Sequence, residues 1–477
     1  MSHPSPSDHP AVPPEMREKL SFPTKLAYGA GDLGPAITAN LGVFYALFFF
    51  TNVAGISPGL AGSILLIGKI WDAINDPMVG VLSDRTTSRL GRRLPWILYG
   101  AIPFGIFFFL QWVVPPFSQW GLFWYYVAIA IVFNSFYTVV NLPYTALTPE
   151  LTQDYNERTS LNSFRFSFSI GGSILSLILA LVVFSALKME TTQEYLVLAA
   201  ICTVLSVLPL FWCVWGVRDR VMATEARRLE TEVPEQIPIL EQLRIAFSNR
   251  PFLFVAGIYL CSWLGVQVTA SILPYFVVNS MGLSEAEFNL VAIAVQGTAL
   301  VMLYVWSAVS ERVGKKAVYF MGMILWIIAQ AGLYFLEKGQ NGWMYFLAIL
   351  AGFGVSVAYL IPWSMMPDVI ELDELQTGKR REGIFYAFMV FLQKIGLALG
   401  LFLVSQALQW AGFKERIPGQ PIPEQSPSAI SAIQIAIGPL PMVALILGLV
   451  LAYFYPITRE VHAEILLKLR EKNQGNQ

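Results

Sequence analysis

Apolar windows of about 20 residues, the length an α-helix needs to cross about 30 Å of hydrocarbon, recur twelve times along this chain. They fall at 24–50, 57–83, 93–114, 121–148, 159–187, 195–217, 251–279, 286–310, 316–336, 342–368, 383–409 and 429–455. Segments of this kind must pair their backbone polar groups internally, which dictates helices. The charged fraction, 13% of 477 residues, is half the soluble average of about 25%. The expected fold class is an all-α membrane protein of 12 transmembrane helices in two six-helix bundles. The boundaries read as a polar tail at 1–23, bundles at 24–217 and 251–455, a polar linker at 218–250 and a second tail at 456–477.

The placement of charge then sets orientation. Of 31 Lys and Arg, three lie deep within spans (Lys69, Arg165, Lys394) and four in loops of one parity (Lys188, Lys338, Lys414, Arg416). The remainder fall on the other side, so the positive-inside rule places both termini in the cytoplasm of a plasma (inner) membrane. The three histidines, His3, His9 and His462, all sit near the ends, which removes a histidine triad, proton relay or zinc site from the spans. Cys202, Cys213 and Cys261 have no CxxC spacing and read as buried thiols. The N-terminal tail is polar and Pro-rich, unlike a signal peptide. The expectation is a monomer among membrane lipids, with no nucleic-acid partner, no cofactor and no catalytic residues.

Within this apolar setting the second span carries KIWDAINDPMVG from Lys69 to Gly80. Asp72 and Asp76 stand four apart and share a helix face. A charged carboxylate in hydrocarbon costs roughly 3 kcal/mol, and such residues are kept where they line a water-filled path or bind an ion. Pro77 cannot donate to the carbonyl of Ala73, leaving an oxygen between the two acids, with Asn75 beside them. Hard cations bind oxygens of this kind. A buried ion pair of Asp72 with Lys69 is the structural alternative.

The two halves repeat. Gly80 to Arg93 reads Asp84-Arg85, then Gly91-Arg92-Arg93; Ser307 to Lys316 reads Glu311-Arg312, then Gly314-Lys315-Lys316. The fourth span ends in Pro143-Tyr144-Thr145 followed by Pro149-Glu150, and the tenth in Pro362-Trp363-Ser364 followed by Pro367-Asp368. Internal symmetry with broken helices in matching places marks transporters and their binding sites. By rise per residue, Asp72 and Lys394 lie level, each about 18 Å from the cytoplasmic ends. Asp32, Asp76, Asn141 and Arg165 come slightly nearer that side.

These residues resemble the major facilitator superfamily, in particular its glycoside-pentoside-hexuronide:cation symporter, melibiose-carrier-like branch. The likeness is carried by Tyr28-Gly29-x-Gly31, by Trp71 to Pro77, by Pro95-Trp96-Ile97 and by Lys394. It implies alternating access about a central cavity and coupling to sodium or protons. Carried over by position, the cation site is Asp72 and Asp76 with Asn75, Thr138 and Asn141, and Lys394 is the coupling residue. Sugar carriers usually have aspartates where this chain has Asn141 and Ala36. The runs Leu142 to Thr148 and Ile361 to Ile370 are also similar to the eukaryotic sodium-dependent lysophosphatidylcholine transporter, which makes lysolipid the rival solute to a sugar or glycoside.

Candidate substrate contacts are Arg165, Asn141, Trp363, Tyr28 and Tyr137. Arg165 offers planar donors, with an ion pair to Asp32 as the alternative. Other aromatic residues able to stack on a ring are Trp71, Tyr144, Trp263, Tyr275 and Tyr386. Asp84, Arg85, Arg92, Arg93, Glu311 and Arg312 read as a cytoplasmic gate, or as plain positive-inside charge. An enzyme alternative is a membrane prenyltransferase, since aspartates four apart hold magnesium and diphosphate; it lacks a second Asp-rich motif. A scaffolding protein would leave Asp72, Asp76 and Lys394 without a role.

Overall fold

The computed structural model describes residues 19–152, 155–186, 191–228, 239–378, 382–415 and 423–475. The first half comprises α1 (Phe22–Ala30), α2 (Leu33–Asn52), α3 (Pro58–Arg85), α4 (Leu94–Leu110), α5 (Gln119–Thr145), the single turn α6 (Thr148–Leu151), α7 (Tyr155–Ala186) and α8 (Thr191–Arg228). The second begins with the short α9 (Ile239–Ser248) and α10 (Arg250–Tyr275), which runs into a π-helical turn at Phe276–Ser280. It continues with α11 (Glu285–Val313), α12 (Lys315–Tyr334), α13 (Asn341–Thr377), α14 (Glu382–Trp410), α15 (Pro427–Ile437), α16 (Pro439–Phe454) and α17 (Arg459–Gly475). The stretch 218–250 therefore contains the last turns of α8 and the whole of α9. The described residues of the polar tail at 456–477 are largely helical.

Ten helices or helix pairs among the described residues are long and apolar enough to cross a membrane. The apolar α4 is shorter, at 17 residues, and in α3 the charges from Lys69 to Arg85 dilute the apolar run. Ser21, Ser118, Asn249, Ser284 and Ser426 accept from the first free N–H groups of α1, α5, α10, α11 and α15. At Ser284 the bond is returned by Glu287, a full capping box.

Core packing differs between the two ends of the molecule. Away from the termini, one buried apolar cluster draws residues from both halves, including Phe48 and Phe49 of α2, Tyr275 to Val278 and Phe288 of α11. Toward the termini the first half has its own cluster around Tyr28, Phe104 and Tyr144, and the second half another around Tyr259, Trp326 and Met366. Hydrogen bonds join the halves in the shared cluster: Thr51 to Tyr275 at 2.7 Å, Tyr45 to Asn289, and Tyr195 to Glu285 at 3.0 Å. Below that seal, Gln296 of α11 donates to Asn40 of α2 at 3.0 Å, and the Asn40 amide in turn donates to Ser176 and to the Ser173 carbonyl on α7.

Candidate functional site at the interface of the halves

The α3 face that carries Asp72 and Asp76 meets α5 of its own half and α14 of the other. Lys394 of α14 places its Nζ 3.1 Å from Asp72 Oδ2 and also bonds Asp76 Oδ2. Lys69, one turn before Asp72, lies 3.7 Å from the same Asp72 oxygen and donates to Asn134 of α5 at 3.1 Å. The Lys69 pair read from the sequence and the contact with Lys394 of the other half are therefore present together. The two acids differ in access: the Asp72 side chain is 2% exposed and that of Asp76 27%.

Thr138 of α5 completes the group, its hydroxyl 3.0 Å from Asp72 Oδ1 and 2.9 Å from Asp76 Oδ1. A hydroxyl has one hydrogen. It satisfies one carboxylate while its lone pairs face the other, so the three oxygens accommodate one more positive particle, either a proton on a carboxyl oxygen or a small hard cation. Oxygens from two carboxylates and a hydroxyl form the donor set that such cations prefer. Asn75 is buried and turns toward the Ser135 carbonyl, at 3.5 Å. Asn141 stands one turn along α5 from Thr138 and is partly buried.

A second charge pair lies within the first half. Arg165 Nε of α7 is 3.9 Å from Asp32 Oδ2, at the junction of α1 and α2, and the guanidinium sits 4.9 Å over the Phe166 ring. That Nε is buried without a hydrogen-bond acceptor. Tyr137 of α5 is within electrostatic reach of Asp32, Asp72 and Asp76, so it belongs between the two charge groups. Tyr28 joins the second pair through its hydroxyl, within electrostatic reach of Arg165, while its ring is fully buried, bonded to Thr148 and stacked on Tyr144 at 5.2 Å, and its carbonyl accepts from the Tyr144 hydroxyl. Tyr275 is committed to the seal, and Trp71 donates to Ser135 at 2.7 Å. In the second half Trp363 stacks on Tyr386 at 6.0 Å and meets Tyr259 edge-on, while Trp263 packs against Tyr359. Trp263 Nε1, the Tyr259 hydroxyl and Gln267 Oε1 share one stripe of α10, buried and without hydrogen-bond partners.

The charged residues at the terminal end pair inside their own halves. Arg92 and Arg93 both donate to Glu150 Oε1, each Nε at 2.8 Å, and Lys25 meets Glu157 at 2.9 Å. In the second half Lys315 holds Asp368, and the Arg312 carbonyl accepts from Arg459. Arg85 is exposed; the side chains of Asp84 and Glu311 lie outside the described ones. The partnership of basic residue and acid in each half was present in the repeated motif but unread. Asn134 follows from its place one turn from Thr138 on α5. Nothing in the sequence marks His462, whose ring reaches Asp368 and Glu371.

Comparison with known proteins fits this arrangement. A family model described as MFS/sugar transport protein matches residues 27–459, and the chain belongs to that family of the major facilitator superfamily. It is 54% identical to an uncharacterized symporter of Synechocystis sp., over 96% of this chain and 98% of the relative. It is 27% identical to an isoprimeverose transporter of Lactiplantibacillus pentosus, covering 99% and 97%. The same identity, covering 94% and 88%, relates it to a sodium-dependent lysophosphatidylcholine symporter of Danio rerio. The crystal structure of the nucleoside transporter NupG superposes with a TM-score of 0.61 at 12% identity, covering 91% of this chain and 98% of that one. The protein is a multi-pass integral membrane protein of a transporter family.

Proposed function

We propose that this protein is a symporter that couples a sodium ion or a proton to a sugar or glycoside, with twelve spans, both termini cytoplasmic and no catalytic chemistry of its own. The observation that carries the reading is Lys394, from one half, lying on both Asp72 and Asp76 of the other. Two acids balanced by Lys69 and Lys394 make a neutral group. When the halves separate, Lys394 leaves and the first half is one positive charge short. One monovalent cation held by Asp72, Asp76 and Thr138 restores neutrality, and this gives the conformational equilibrium a reason to depend on ion occupancy. The solute then lies between the charged first half, with Arg165, Tyr137 and Asn141, and the aromatic second half around Trp363.

The relatives favour a second solute, lysophospholipid, on equal footing, and a charged wall facing an aromatic one suits an amphiphile as well as a ring. Uptake into proteoliposomes under an imposed sodium or proton gradient separates these readings. Radiolabelled glycosides and lysophosphatidylcholine are offered in turn to wild type and Asp76→Asn. Gradient-driven uptake of one class, lost in Asp76→Asn, is the expected result. Uptake that ignores the gradient, or survives that substitution, overturns the coupling.

A further inference from the structure

The internal repeat places an acid after the second proline in each half, Glu150 in one and Asp368 in the other. In the first half that acid is held by two arginines, Arg92 and Arg93, each with a side chain about nine-tenths buried. Neither arginine loses its charge at any physiological pH. The second half departs from this plan. Lys315 donates to Asp368 at 2.6 and 2.9 Å and to the Ser364 carbonyl at 2.6 Å, filling one of the two cationic places. The adjacent Lys316 turns away to the Tyr453 carbonyl. The other place is taken by His462 of the C-terminal helix, with Nε2 3.3 Å from Asp368 Oδ1 and 2.6 Å from Glu371 Oε2.

We propose that the cluster of His462, Asp368, Glu371 and Lys315 is a proton-operated clasp that docks the C-terminal helix α17 on the end of α13. The charge count follows from the groups around the ring. Asp368 and Glu371 from α13 contribute two negative charges and Lys315 from α12 one positive. Buried Tyr455, from the turn between α16 and α17, brings a hydroxyl that lacks a hydrogen-bond partner and lies within electrostatic reach of Asp368. Arg459, on α17 itself, is occupied by the Arg312 carbonyl at 2.8 Å. With a neutral imidazole the cluster is one positive charge short; with the imidazolium it is neutral. Imidazolium also guarantees an N–H on Nε2 between the two carboxylates, which one neutral tautomer lacks. Docking is thus strongest on the acid side, where the imidazole carries its proton, and weakens as pH rises and that proton is lost. The first half, with arginine in the same place, has no such response. The clasp is defined by the fold alone and does not depend on which solute is carried.

Hydrogen exchange of the full chain in nanodiscs, at pD 6 and pD 8 and corrected for intrinsic rates, tests it. In wild type the amides of α17 exchange about tenfold faster at the higher pD, as expected when a charge-assisted contact is lost. His462→Gln exchanges fast at both values, and His462→Lys, whose charge persists, stays protected at both. Unchanged protection of α13 above Ile361 shows that each variant is folded. Equal protection of wild-type α17 at both values, or a pH response that survives in His462→Gln, overturns the proposal.

Discussion

At the residue scale the centre of the molecule is a hydrogen-bonding shortage. Thr138 brings one proton to two carboxylate oxygens at 3.0 and 2.9 Å, and in the proposed cycle the coupling ion or a carboxyl proton settles the difference once Lys394 has left. Replacing Thr138 by Val removes the shared oxygen and keeps the shape. The apparent sodium or proton affinity should fall about tenfold, in line with a hydrogen bond to a charged group, while Thr138→Ser stays near wild type. Titrating solute uptake against the coupling ion reads this directly. Lys394 has a different fate. Lys394→Ala leaves Asp76 without its cross-half partner, and Asp72 with Lys69 alone at 3.7 Å. Accumulation against a gradient should fail in Lys394→Ala while solute exchange between equal compartments survives, because exchange does not need the empty site to be neutral. Equal loss of both activities would mean that Lys394 only holds the fold.

Helices show most clearly what the sequence could and could not tell. The apolar pattern put a window on each long helix or helix pair of the two bundles, because a segment that must cross hydrocarbon announces itself by composition, but it left the polar α17 unmarked. It did not locate their ends: α13 continues to Thr377 and α8 to Arg228, beyond the apolar windows, since a helix carries on into water wherever its backbone bonds are intact and no residue breaks it. Asp72, Asp76 and Lys394 could be picked out because charge is costly in hydrocarbon. His462 could not, since a histidine in a polar tail costs nothing until a tertiary contact gives it partners. Close helix approach was readable only in outline. The Gly29, Gly31, Gly34 series signals tight packing, and the structure sets Gly34 directly against the Ser206 backbone of α8, with no space for a methyl group. Because the obstacle is main chain, Gly34→Ala has to push α2 and α8 apart. The cost should be about 1–3 kcal/mol, seen as a fall in thermal unfolding temperature, whereas Gly42→Ala, with open space around it, should unfold like wild type.

On the scale of the whole molecule the packing is lopsided: the halves share one core at the end away from the termini and keep separate cores at the other. A shared core cannot loosen gradually, because close-packed interfaces have few intermediate arrangements, so the seal is either closed as here or open. Its closure rests on aromatic packing and on a few polar contacts between halves, chiefly Tyr45 with Asn289 and Thr51 with Tyr275. The π-helical turn at Phe276–Ser280, directly after Pro274, lies in this seal, at the kind of irregularity that lets a helix end re-form. Removing the two hydroxyls in a Tyr45→Phe, Tyr275→Phe variant keeps the rings and deletes the bonds, at about 1 kcal/mol each. Two such losses shift the balance between closed and open seal by roughly 30-fold. Spin labels on cysteines at Ser118 and Lys338, exposed positions of opposite halves near the seal, report that balance as the ratio of short to long distances. The long-distance population should grow in the double variant and grow further when Asp76 is replaced by Asn, because the neutral side chain leaves Asp72 balanced by Lys69 once Lys394 has gone, and leaves one positive charge too many while Lys394 stays. If the double variant leaves the distance distribution of the wild type unchanged, the seal is held by its apolar surfaces, and the hydroxyls serve only to satisfy one another.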